Sequence, residues 1–431
     1  MVERRNIILI TFDSLRADHC SFMGYHRETT PTLDKMARKG LYFENAIASG
    51  VPTPTSMVGV FTGDYAYVDI SSADPKSWRR ELATRLTIAQ VLKRERYFTG
   101  AFHENPYVSS YFGFNKGFDY YYCDDTNKYK NFKLKIHDKI LVPLFRKLGF
   151  SRMIPDMLMG VGLSARWESF YSYILEWINK TKKPFFLWIL LLDTHIPYIP
   201  PRKYRRCSNI LEIYYYNWKI GKTVRAKTKQ SKEWRDKIID AYDDCIRYAD
   251  AFVKRLWEDI KDYDPILIIH ADHGDGFCEH GFYYHRVPCL YEELIHVPLI
   301  IYNADVKGKV EKPVSLLGIA PTILELIGMK NEFPSESLLH GGKDWVIVKA
   351  YGGKIAVRTK EWKYIVGQKE EEELYYLKKD PHEQVNLIYE YPKLVDEFKK
   401  IVDLHIKCES EKRKIHDIAR RLRYQGGTRH G

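Results

Sequence analysis

The sequence predicts an α/β fold, a mostly parallel sheet sandwiched by helices, with a small C-terminal antiparallel subdomain. Three observations carry this. Continuous apolar runs of strand length alternate with helix-periodic segments along most of the chain, the pattern of parallel strands covered on both faces. Several runs close on acids or imidazoles, at Asp13, Asp193–His195 and Asp272–His273, and open α/β sheets bind ligands beyond the carboxyl ends of their strands. After residue 345 the pattern turns to alternating strands around Gly352-Gly353, as in an antiparallel meander.

Taken in order, NIILITFD (6–13) reads as a buried strand ending in a carboxylate. TLDKMARKGLYFENAIA (32–48) and TIAQVLKRERYFTGAFH (87–103) each read as helix then strand. PFFLWILLLDTH (184–195), PILIIHADHGD (265–275) and HVPLIIYN (296–303) add strands, and 233–260 is a long helix. Residues 125–180 break the rhythm as a helical insertion that could serve as a lid over the active edge, and 203–232 as a loop-rich insertion. The expected organisation is a catalytic domain over 1–340 and an α+β subdomain over 341–431, closed by a helix from about 392 to 423 and a basic tail.

With 431 residues, 45% of them apolar, the chain can bury a large core. The net charge of +12 is spread over 126–139, 202–206 and 411–423. Such clusters form solvated faces or attract anionic substrates. No zinc-finger spacing or aromatic-basic pattern accompanies them, so nucleic acid is not an expected partner. No window reaches the roughly 18 apolar residues of a membrane span. The N-terminus lacks the features of a signal peptide. Seven cysteines, an odd number without CxxC pairs, fit a reducing compartment. The expectation is a cytoplasmic protein with no transmembrane span.

Asp272 and His273, adjacent at a strand end before Gly274, can turn toward one point as ligands of a divalent cation. Asp13 supplies a third ligand from another strand of the same edge. VPTPTSMVGVFTG (51–63) opens a helix on hydroxylated residues. A helix N-terminus receives phosphate-like or sulfate-like anions, and a hydroxyl there beside a cation becomes a nucleophile. Thr53 and Thr55 both qualify, and either could instead cap the helix.

The chain resembles the sulfatases of the alkaline-phosphatase superfamily. NIILITFDSLRADHCSFMGY resembles their opening metal-binding segment, MVGVFTGDY the helix after their nucleophile, and LLDTHIPYIPP (191–201) their His-x-Pro-Tyr segment. ADHGDGFCEHGFYYHRVPCLYEELIHVPLIIY (271–302), SLLGIAPTILELIGM (315–329) and EELYYLKKDPHEQVNL (372–387) resemble three further blocks. Counted back from Thr62-Gly63, the resemblance places the nucleophile at Thr53 and implies a metal held by Asp13, Thr53, Asp272 and His273. It implies His195 beside the leaving group, and His285 in the place of a substrate-binding Lys or His. Asn105 falls near the anion pocket. His280 is expected either to orient Asp272 or His273 or simply to pack. Asp193 could ligate, but Pro197 stands where Asp-x-x-x-His would need its histidine, so one cation is expected (Mn, Zn, Ca or Mg).

Two departures matter. Thr53-Pro54-Thr55-Ser56-Met57 replaces the family's Cys/Ser-x-Pro-x-Arg, and threonine cannot become formylglycine, so no formylglycine is expected. Ser14 stands where a second metal-binding aspartate is usual. A threonine ester must be resolved by attack at its central atom, which phosphorus tolerates better than sulfur. The expectation is a metal-dependent hydrolase of sulfate or phosphate esters, phosphoester chemistry favoured, acting on an anionic ester that could be glycan- or lipid-linked. The alternatives are a transferase passing a phospho-group to a glycan or lipid, and a catalytically inactive binding protein of the same family.

Overall fold

The computed structural model describes residues 4–66, 81–123, 142–147, 166–217, 232–285, 289–350, 353–367 and 372–426. Its largest sheet has eight strands, in the order Gly308–Val310, Leu41–Phe43, Leu299–Tyr302, Ile266–Ala271, Ile7–Phe12, Phe185–Leu191, Phe98–His103 and Tyr120–Cys123. Ile7–Phe12 lies at the centre, parallel to both neighbours. All six of its residues are buried, and burying Ile7, Ile8, Leu9, Ile10 and Phe12 contributes on the order of 10 kcal/mol. The one hydroxyl in this strand is satisfied across the sheet. Thr11 Oγ1 lies 2.9 Å from His270 Nε2 and accepts from Trp188 Nε1 at 3.1 Å.

Register sets the functional edge. Phe12 pairs with Leu191 on one side and Ala271 on the other. Asp13, Leu192 and Asp272 therefore leave the sheet at one level, from three strands distant in sequence.

The expected helix-then-strand units are present as Pro31–Lys39 with Leu41–Phe43, and Ile88–Arg94 with Phe98–His103. The latter helix begins with a capping box in which Thr87 and Gln90 exchange hydrogen bonds. The long helix spans Lys232–Ile260. HVPLIIYN divides at Pro298. His296–Val297 pairs with Ala46–Ile47 in a small sheet, while Leu299–Tyr302 runs antiparallel to Ile266–Ala271. The chain between these strands remains at the functional edge, so the next strand must run back from that edge.

The C-terminal sheet places Glu373–Tyr376, Trp362–Val366, Ile355–Thr359 and Trp345–Ala350 in antiparallel succession. Its fifth strand comes from the other end of the chain: Gly50–Val51 pairs parallel with Lys349 and Ala350. The helix Pro392–Gly426 buries Val395, Phe398 and Val402 against Ile347, Val357, Tyr364 and Leu374. This subdomain thus holds the two residues before Pro52-Thr53.

Within 125–180, the helix Glu168–Lys180 buries Phe170, Tyr171, Ile174 and Ile178 in the main core. It covers the sheet rather than the functional edge. Residues 124–141 and 148–165, which carry the lid expectation, lie outside the described residues, as do 218–231 of the second insertion.

Candidate active site

The helix Thr53–Thr62 starts at the functional edge, and every residue in it is buried. Its first turn is closed by Thr55 N and Ser56 N, which donate to Pro52 O at 2.9 and 3.2 Å. Ser56 Oγ donates to Asp272 O at 2.7 Å, clamping the helix start to the metal-type segment. Gly50 lets the preceding strand pack closely on the first turn of the helix, since a Cβ there would lie 2.4 Å from Thr55 Cγ2.

The geometry separates the two threonines. Thr53 Oγ1 lies 3.1 Å from His273 Nε2 and 3.5 Å from Asp13 Oδ2. Thr55 Oγ1 is buried, with no hydrogen-bond partner among the described residues. Asp13, Asp272 and His273 bring one donor atom each within 4.8 Å of one another, and all three are buried. His273 Nδ1 donates to Gly274 O at 3.0 Å, leaving the Nε2 lone pair toward Thr53. Gly274 permits this turn, because a Cβ would lie 2.1 Å from Glu293 O.

These groups fit a divalent cation. Asp272 Oδ1 accepts from Ser14 N and His273 N, at 3.1 and 2.8 Å, while its Oδ2 is buried without a hydrogen bond. Burial raises Asp272 to about 6. Burial and the nearby Asp272 carboxylate also raise Asp13. Burial and then His285 lower His273 to about 4. Two carboxylates costly to ionise beside a neutral imidazole lone pair form a donor set that a cation stabilises.

Ser14 has a different part from an aspartate at that position. At φ 66° it turns its N–H onto Asp272, and its Oγ donates to Asp13 Oδ1 at 3.0 Å. Asn105 enters the site directly: its Nδ2 donates to Asp13 Oδ2 at 2.7 Å, and its Oδ1 accepts from Tyr107 N.

His285 lies against both His273 and His195. The ring centroids of His285 lie 4.5 Å from His273 and 5.4 Å from His195. His195 Nδ1 donates to Ile196 O at 2.6 Å, so Nε2 is its outward atom. His285 Nδ1 lies 2.8 Å from Asp275 Oδ1. Although burial pushes Asp275 up, the His285 hydrogen bond and charge hold it below the usual carboxylate range. Burial pushes His285 down, but Asp275 outweighs this and raises it. His273, Asp275 and His285 also converge. His285 and Tyr198 (2.7 Å to Oδ2) each bond a separate Asp275 oxygen, making an acid–imidazole pair braced by a tyrosine.

Two positions that the sequence left open take one of their alternatives. His280 does not touch Asp272 or His273. Its Nδ1 bonds Glu293 Oε1 at 2.7 Å, its Nε2 bonds Glu383 O, and its ring stacks on Tyr291. Asp193 turns away from the cluster toward Trp167 N, and burial pushes its carboxyl well above the usual range. Sequence reasoning missed Asp275, Tyr198 and Thr194, whose Oγ1 donates to Asp13 O at 2.7 Å. Asp275 had a signal, since it follows the Asp-His-Gly turn directly. The other two follow the neighbouring strand Phe185–Leu191, Thr194 at its flagged end and Tyr198 in the His-x-Pro-Tyr segment, but their hydrogen-bond partners were not legible.

The sulfatase family model matches residues 5–329. The chain belongs to the sulfatase family. It is 26% identical to an arylsulfatase of Clostridium perfringens, over 92% of this chain and 93% of that one. It is 25% identical to a sulfatase of Formosa agariphila, over 89% and 83%. Among solved structures, the phosphonate monoester hydrolase of Agrobacterium radiobacter superposes with a TM-score of 0.69 at 18% identity, covering 94% of this chain and 96% of that one. That of Silicibacter pomeroyi gives 0.66 at 14%, covering 93% and 95%. The structural likeness fixes the alkaline-phosphatase/sulfatase fold, and membership of the sulfatase family makes the chain an ester hydrolase. Among the described residues no helix is long and apolar enough to cross a membrane.

Proposed function

We propose that this sulfatase-family protein hydrolyses phosphoesters through an unmodified Thr53, with one divalent cation held by Asp13, Asp272, His273 and Thr53 Oγ1. The observation carrying this is the position of Thr53 Oγ1, 3.1 Å from His273 Nε2 and 3.5 Å from Asp13 Oδ2 at a helix start. When bound, the cation supplies positive charge that lowers the pKa of the threonine hydroxyl and neutralises charge on the ester oxygens.

The chain's own groups do the rest. Thr53 Oγ1 attacks the central atom in line, and the backbone at the helix start offers positive dipole to the anion. Asn105 and Ser14 hold Asp13, and Ser14 N and Ser56 hold the Asp272 segment. With a proton on Nε2 as well as Nδ1, His195 donates to the leaving oxygen and His285 to a nonbridging oxygen. Water then attacks the threonine ester at phosphorus and releases Thr53. Formylglycine elimination is closed to a threonine, which supports phosphoester over sulfate-ester chemistry. The fold shared with phosphonate monoester hydrolases is consistent with this. The substrate is an anionic ester, with glycan- and lipid-linked esters the first classes to try.

The test is a panel of matched sulfate and phosphate mono- and diesters with several divalent cations. Turnover of phosphoesters over sulfates, abolished in Thr53→Ala, is expected. Full cation-dependent turnover by Thr53→Ala would refute the nucleophile.

A further inference from the structure

We infer that Asp275, fixed by Tyr198, is a positioning residue that holds the His285 imidazole with Nδ1 turned inward and Nε2 presented to the ester. This rests on the function proposed above for the site itself. Asp275 is fully buried, and its two oxygens have separate tasks. Oδ1 receives the His285 Nδ1 proton at 2.8 Å, and Oδ2 receives the Tyr198 hydroxyl proton at 2.7 Å. An ionised carboxylate only accepts, so a ring nitrogen 2.8 Å away must carry the proton. The remaining nitrogen, Nε2, is thereby left to the site.

The carboxylate is itself immobilised. Tyr198 is buried and packs edge-on against Tyr242 and Phe277, at 5.2 and 6.0 Å. Asp275 O accepts from Arg16 Nη1 at 3.0 Å, and Arg16 is held in turn by Asp18 and Glu279. His285 needs this support more than its neighbours do. His273 and His195 each bond the backbone carbonyl of the next residue, whereas the His285 ring is 23% exposed and Asp275 is its one hydrogen-bond acceptor among the described residues. A lysine at this position would carry freely rotating donors and need no such partner. The arrangement thus explains why an imidazole here is accompanied by a buried acid and a tyrosine.

The experiment is a double-mutant cycle on the full-length, cation-loaded protein. Asp275→Asn is expected to lower kcat by at least roughly 10-fold with little change in KM, since losing an acid that orients an imidazole costs from about 10-fold up to about 10⁴-fold. Tyr198→Phe, which removes only a hydroxyl, is expected to act in the same direction and less strongly. In a His285→Lys background the Asp275→Asn loss is expected to shrink to about threefold or less. Equal losses in both backgrounds, or no loss in the native one, would overturn the inference.

Nitrogen-15 shifts of the His285 ring decide it independently of turnover. The proton is expected on Nδ1 in the native protein, with Asp275→Asn losing that preference; a bare Nδ1 in the native protein overturns the inference. Absence of turnover on every ester would refute the proposed chemistry and leave the ring shifts to decide the positioning.

Discussion

Replacing Asp272 with asparagine should stabilise the cation-free protein at neutral pH while abolishing its response to cations. Asp272 is fully buried, and its carboxyl rises from the ordinary 3.8 to about 6, chiefly through burial. A carboxyl raised on folding makes the folded state hold its proton longer than the unfolded one. Its contribution is therefore most favourable below about pH 4, and is lost as pH climbs through about 6. Above that, the ionised group costs the folded protein about 3 kcal/mol. Asparagine keeps an oxygen for Ser14 N and His273 N, removes the charge, and places an amide where Oδ2 has no partner. Unfolding entropy for 431 residues is on the order of 0.9 kcal/mol/K. The variant should thus melt roughly 3 °C higher than the native protein at pH 7.5 in chelator, with the difference vanishing near pH 4. Added Mn²⁺ or Zn²⁺ should raise the native melting point at pH 7.5 far more than at pH 5, and leave the variant unmoved. An unchanged cation response in Asp272→Asn, or a lower cation-free melting point at pH 7.5, would refute the reasoning.

Removing the Asn105 amide from Asp13 Oδ2 deletes a charge-assisted bond worth about 1.5–3 kcal/mol. Asn105→Ala should therefore weaken cation affinity by about 10- to 100-fold by calorimetry. Met57 is fully buried in the main core, so Met57→Arg should yield insoluble or unfolded protein by circular dichroism rather than recover a sulfatase. Lys363 bridges Glu383 at 2.5 Å and Glu292 at 3.1 Å, with Lys363 and Glu383 fully buried. Lys363→Met leaves Glu383 without its cation, while Glu292 keeps Arg358 at 3.1 Å, and should cost about 3–5 kcal/mol in urea unfolding. Activity per folded molecule should stay close to native.

The legible part of the site is the part that follows from strand ends. A run such as NIILITFD reveals its own burial and its terminal acid, and so does PILIIHADHGD, because period and length are local properties. Pairing is not local. His296–Val297 and Leu299–Tyr302 read as one strand, yet Pro298 sends them to different sheets. His280 and His285 stand five residues apart, and the resemblance already gave only His285 a place at the substrate. Their partners, Glu293 for one and Asp275 for the other, were not legible. Asp193 looked available as a ligand, but its side chain turns to Trp167 N.

By itself, the sequence determined the alternation that makes a parallel sheet, the acids and imidazoles at its strand ends, and a threonine that cannot become formylglycine. Those are properties of residue type and spacing. The family resemblance already put the nucleophile at Thr53 rather than Thr55, and the tertiary structure set that hydroxyl against His273. It also placed Asn105 and Ser14 on Asp13, and paired Gly50–Val51 with the C-terminal sheet. The reason is geometric. Hydrogen bonds act over about 3 Å, and the partners that orient this site lie up to some 300 residues apart along the chain.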